Sequence, residues 1–99
     1  MEGLAITWEE SKTRLNKKKH GVSFEEAKTV FYDEHGRLIH DPDHSRDEDR
    51  YILIGMSIRM RLLVVCHCYR EEFHTIRIIS ARKANRTEQK QYEGFGYER

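Results

Sequence analysis

Arg61-Leu62-Leu63-Val64-Val65-Cys66-His67-Cys68-Tyr69, the polar link Arg70-Glu71-Glu72, and Phe73-His74-Thr75-Ile76-Arg77-Ile78-Ile79-Ser80-Ala81 together decide the fold. The first run is apolar at consecutive positions, which a strand tolerates only when both its faces are covered. The second alternates less cleanly: Phe73, Thr75, Arg77 and Ile79 interleave with His74, Ile76, Ile78 and Ser80. A three-residue link cannot carry a parallel crossover, so the two runs form an antiparallel hairpin. Upstream, Arg50 to Ser57 is a third β-type run, joined to Arg61 across Arg59-Met60 by an equally short link.

Working outward toward the N-terminus, Arg37-Leu38-Ile39-His40 reads as a short strand. The stretch Asp41 to Asp49 after it is polar and holds the sole proline, Pro42. Before it, Ser23 is placed as a helix N-cap with Glu26 completing a capping box. Phe24, Ala27, Val30 and Phe31 then share one face of a helix ending near Tyr32. Glu9 to Lys19 is a further helix, acidic first and basic last as the helix dipole favours, with Gly21 as its stop. Trp8, Ser11 or Lys12, and Leu15 mark its expected apolar side. Leu4 to Trp8 is a short β-type run. At the other end, Asn85 caps a helix reaching about Glu93, with Glu88 returning the capping bond and residues 94–99 a frayed tail. The expected order is β-α-α-β-β-β-β-α: one α+β domain over residues 1–99, with an antiparallel sheet, two N-terminal helices and one C-terminal helix.

Composition narrows the functional classes. The chain has 99 residues, 37% hydrophobic and 35% charged, which suits one domain with a small core. Eighteen Lys and Arg against seventeen Asp and Glu leave a formal charge of +1, so any affinity for nucleic acid rests on local clustering. There is no 18-residue apolar run and no basic start leading into an apolar stretch, which argues for a cytoplasmic protein without a membrane span or signal peptide. On a strand Cys66 and Cys68 lie about 7 Å apart along one face, poor geometry for a disulfide. They are read as small buried thiols. Asp41, Asp43 and His44 invite a metal reading. The calcium-loop pattern fails, however, with Arg46 at its sixth position and Ile52 at its twelfth. No P-loop, dinucleotide fingerprint or nucleophile elbow is present.

Three segments, taken in order, resemble the BrnT family of bacterial toxins. They are Trp8 to Lys12 with Asn16 to Ala27, Asp41 to Ser45 leading to Glu48-Asp49-Arg50-Tyr51, and Gly55 followed by Ile76 to Ala84 with Glu88 and Tyr92. Glu9 stands where the family usually has Asp, and the link around Ile58-Arg59-Met60 is less glycine-rich than usual. The resemblance implies a RelE-like fold and a ribonuclease needing neither metal nor cofactor. It also implies a BrnA-type antitoxin partner, with operator DNA bound only through the toxin–antitoxin complex.

Metal-free RNA cleavage sends the ribose 2′-hydroxyl against the adjacent phosphate. It needs a base, cations for the phosphorane, and an acid for the leaving 5′-oxygen. With the resemblance in hand, Arg77, Arg82 and Lys83 are the cationic cluster, because guanidinium forks match phosphate oxygens. His20 or Glu48 is the proton-transfer group, and Lys19 and Arg50 contact RNA. Each has an ordinary alternative: Arg77 pairs with an acid, His20 caps a helix, Glu48 joins an ion pair. His67, among apolar neighbours, is read as a buried, hydrogen-bonded histidine. The same residue types suit an inactive protein- or RNA-binding module, the rival reading.

Overall fold

A computed structural model describes residues 5–41 and 49–97, the side chains of 95–97 excepted. In chain order the elements are β1 (Ala5–Thr7), α1 (Glu10–His20), α2 (Phe24–Thr29) with a 3-10 turn over Val30–Tyr32, and β2 (Arg37–His40). They continue with β3 (Asp49–Met56), β4 (Leu62–Arg70), β5 (Thr75–Lys83) and α3 (Arg86–Tyr97). The five strands form one sheet in the order β1-β5-β4-β3-β2.

The two expected hairpins are present, β3 with β4 and β4 with β5, and β2 also pairs antiparallel with β3. The sheet as a whole is nevertheless mixed, because β1 pairs parallel to β5, Ile6 opposite Ile76. This corrects the antiparallel expectation. No hairpin link constrains β1, since two helices and three strands separate it from β5 in sequence. The free edge of β5 can therefore accept it in either direction.

One face of the sheet carries the main core. Leu53, Leu63, Val65, Ile78 and Ala81 point there against Val22, Phe24, Ala27 and Val30, all buried. Gly55 lets the segment after α2 approach: a Cβ there would sit 2.7 Å from Val30 Cγ1. Gly21 closes α1 at φ +74°, donating its N–H to Lys17 O at 2.8 Å, the left-handed cap expected of it.

The docking side of α1 differs from the sequence expectation. Leu15 is 65% exposed, while Thr13 and Asn16 are buried. Asn16 Nδ2 donates to Val22 O and to Ala81 O, both at 2.8 Å, and its Oδ1 accepts from Ala81 N at 3.2 Å. Thr13 Oγ1 accepts from Phe24 N at 2.8 Å. A polar clamp with its hydrogen bonds made thus seats the helix where an apolar stripe was expected.

The capping box at Ser23 is half made. Ser23 Oγ accepts from Glu26 N at 3.1 Å, but the Glu26 carboxylate turns inward. It accepts from Ser57 Oγ at 2.7 Å, from Arg61 Nε at 2.9 Å and from Arg61 Nη2, tying α2 to the β3–β4 turn. The Arg61 bonds outweigh burial and hold that carboxyl below its ordinary range. At α3 the reciprocal box is complete, with Asn85 Oδ1 accepting from Glu88 N and Glu88 Oε1 from Asn85 N, each at 2.8 Å. The helix then runs on to Tyr97, through Gly94 and Gly96, past the expected end at Glu93.

Candidate functional site

The positions of the arginines follow from one irregularity in the sheet. Across β4 and β5 the register runs Val65↔Ala81 and Cys66↔Ser80, then jumps to His67↔Ile78 and Cys68↔Arg77. Ile79 is therefore a bulged residue. In a regular strand Arg77 and Arg82, five apart, would point to opposite faces. The extra residue restores their phase. Ile78 and Ala81 both face the core, so Arg77 and Arg82 both face the other way.

Register places further groups beside them on this second face. Arg50 lies opposite Cys68, itself opposite Arg77. One step along, Ile39, Ile52, Cys66 and Ser80 form a row across β2 to β5. A step further come Arg37, Ile54, Val64 and Arg82. Ile54 and Val64 are buried, whereas Ile39, Ile52, Cys66 and Ser80 are half-buried. Cys66 and Cys68 are both free thiols, and only Cys68 is fully buried, which corrects the reading of two buried ones. Burial chiefly pushes the Cys66 thiol up, with Arg50 acting against it and Asp41 with it.

Two of the arginines face acids. Arg77 Nη1 lies 3.9 Å from Glu9 Oε2, a loose contact between partly exposed groups. Arg82 is engaged more firmly: Nη1 and Nη2 donate to the two Glu88 oxygens at 2.8 and 2.7 Å. The Arg82 bond is the main cause that lowers the Glu88 carboxyl, and Glu88 raises Arg82 in turn. The pair pins the start of α3 to β5. Farther along α3, Tyr92 OH donates to Asp33 Oδ2 at 2.7 Å, and Met56 N donates to the same oxygen. Burial, reinforced by Asp33, pushes the Tyr92 hydroxyl up to about 12.

Not every expected site residue shares this face. Lys19 and His20 close α1, which packs on the core side of β5. Lys83 follows Arg82 and so alternates back to that side, exposed at the strand's end. Glu48 lies outside the described residues, as do Asp43 and His44. Among the described residues no three His, Cys, Asp or Glu side chains gather as a metal centre requires. His67 is buried on the core side, its Nδ1 3.1 Å from Val65 O and its ring between Phe31 and Tyr51. Arg37 and Glu88 were absent from the sequence-derived site. The two-residue spacing of Arg37 and Ile39 is the signal that places Arg37; Glu88 was visible as a cap and in the family resemblance, not as a partner of Arg82.

The arrangement defines a small α+β protein whose single sheet has one face for packing and one bearing arginines. A family model described as the ribonuclease toxin BrnT of type II toxin–antitoxin systems matches residues 8–88, and the chain belongs to that family. Its structure is similar to the 1.1 Å crystal structure of the Brucella abortus ribonuclease toxin, BrnT. The TM-score is 0.63 over 84% of this chain and 99% of that one, at 20% identity, which is a likeness of fold. A comparison with curated protein sequences gives no match. Among the described residues no helix is long and apolar enough to cross a membrane.

Proposed function

We propose that this protein is a metal-independent endoribonuclease toxin of RelE-like type, acting in the cytoplasm and neutralised by a BrnA-type antitoxin. The observation that carries the reading is the placement of Arg77 and Arg82, with Arg50 beside them, on one sheet face opposite the core. Guanidinium groups offer fixed positive charge and paired donors, the requirements of a phosphate whose negative charge grows in the transition state. The ribose 2′-oxygen forms a bond to phosphorus as its proton passes to a base. The bond from phosphorus to the 5′-oxygen then breaks, and that oxygen takes a proton from an acid, leaving a 2′,3′-cyclic phosphate and a 5′-hydroxyl. Arg77 and Arg82 are assigned to the phosphorane; Lys83, expected to join them, turns to the core side of the sheet and is given no part in this step. Arg50 is assigned to RNA binding and Glu48 to proton transfer; Lys19 and His20, expected in these roles, close α1 on the core side and are given none on this face.

Arginine cannot be neutralised by pH, so the antitoxin has to act by covering these groups. Operator DNA is then bound by the complex, through the antitoxin. The test is incubation of the purified protein with RNA in EDTA, with and without the product of the neighbouring antitoxin gene. Cleavage in EDTA that the partner suppresses is the expected result. RNA left intact under every condition would instead favour an inactive binding module.

A further inference from the structure

The second face holds more than cations. Between the row containing Arg50 and Arg77 and the row containing Arg37 and Arg82 runs the half-buried strip Ile39, Ile52, Cys66 and Ser80. The two arginine rows are four residues apart along β4, Val64 to Cys68, which is about 13 Å. The strip crosses four strands, about 14 Å at ordinary inter-strand spacing. It is apolar except at one end, where Ser80 lies opposite Cys66. A hydroxyl has one donor and two acceptor positions, so Ser80 retains capacity for another partner. Among the described residues, Asp41, whose charge acts on Cys66, and Glu9 and Glu88, against the flanking arginines, are acids that border the strip.

We propose that this strip is a nucleobase subsite: one unpaired RNA base lies flat on Ile52 and Cys66 with its polar edge toward Ser80. The flanking phosphates reach the two arginine rows, and Arg37 joins Arg82 on one side. A flat, weakly polar floor between cations matches a single-stranded segment, which presents alternating apolar rings and phosphates. A base-paired helix keeps its rings stacked inside and has nothing to lay on such a floor. The inference rests on the ribonuclease reading and extends it to how RNA is seated.

Cys66 is a native reporter for this subsite, with the fully buried Cys68 as internal control. Alkylation by iodoacetamide, resolved by residue with mass spectrometry, is measured with and without a single-stranded RNA bearing 2′-O-methyl groups, which cannot be cut. Binding is followed separately by fluorescence anisotropy. If alkylation requires an empty strip, its rate falls by the factor 1 + [L]/Kd, roughly tenfold at ten times Kd. The variant Cys66→Trp, which fills the floor, should weaken the oligonucleotide roughly tenfold. RNA that binds and is cleaved normally while Cys66 alkylation and the Cys66→Trp affinity stay unchanged overturns the subsite and leaves the ribonuclease reading standing. RNA that neither binds nor is cleaved overturns both.

Discussion

The two faces of one sheet solve different problems. On the face that carries α1 and α2 the polar groups are consumed internally: Asn16 by Val22 and Ala81, Glu26 by Ser57 and Arg61, Thr13 by Phe24. On the other face Ile54, Val64 and Cys68 are buried as well, but the charged groups are arginines around a half-buried strip. The main core and the arginine cluster therefore separate by face, although neighbouring residues of β5 serve both. Ile78 is core and Arg77 is not; Ala81 is core and Arg82 is not.

The widest break in that comparison should come from Arg77→Ala. Loss of one transition-state donor lowers cleavage on the order of 10²–10³-fold, while thermal unfolding stays close to that of the parent. A steady-state assay paired with a melting curve checks both halves. Asn16→Leu is the counterpart on the other face. It strands the carbonyl of Val22 and both backbone groups of Ala81, costing about 3 kcal/mol. Urea unfolding should show that loss, with the cleavage rate of the remaining folded protein little changed. An equal loss of activity would mean the faces are coupled.

Much of the first face was legible in the sequence. Hairpin-length links gave the β3-to-β5 order, and Ser23 and Asn85 marked two helix starts. The spacing of Phe24, Ala27 and Val30 gave the side of α2 that packs. Three features were not legible. Asn16 and Thr13 are polar, so a search for apolar periodicity passes over the residues that dock α1 and selects Leu15. The parallel pairing of β1 is a long-range contact with no local signal. The bulge at Ile79 leaves only the blurred alternation between Phe73 and Ala81, and without it Arg77 and Arg82 fall on opposite faces.

Acid sharpens the comparison because His67 and Glu26, both on the core side, titrate with folding. Burial pulls His67 below its ordinary range, with the Val65 carbonyl opposing, so the unfolded chain binds the proton more readily. Stability is then full above the unfolded histidine pKa, near 6.5, and declines as the pH drops below it. Glu26, lowered chiefly by the Arg61 hydrogen bonds, adds a second decline below its unfolded value of about 4.5. Urea unfolding as a function of pH should show the first step vanish in His67→Phe and the second persist. The smallest effect belongs to Leu15→Gln. At an exposed helix position it should shift stability by no more than about 0.5 kcal/mol, whereas a loss of several would restore Leu15 to the core.

The division of labour between faces is tested most directly by isoleucine methyl NMR during titration with uncuttable 2′-O-methyl RNA. Ile39 and Ile52 report the arginine face, and Ile6 and Ile78 report the core face. The account predicts saturable shifts of the Ile39 and Ile52 methyls, with those of Ile6 and Ile78 nearly stationary. Shifts confined to Ile6 and Ile78, with Ile39 and Ile52 unmoved at saturation, would contradict it.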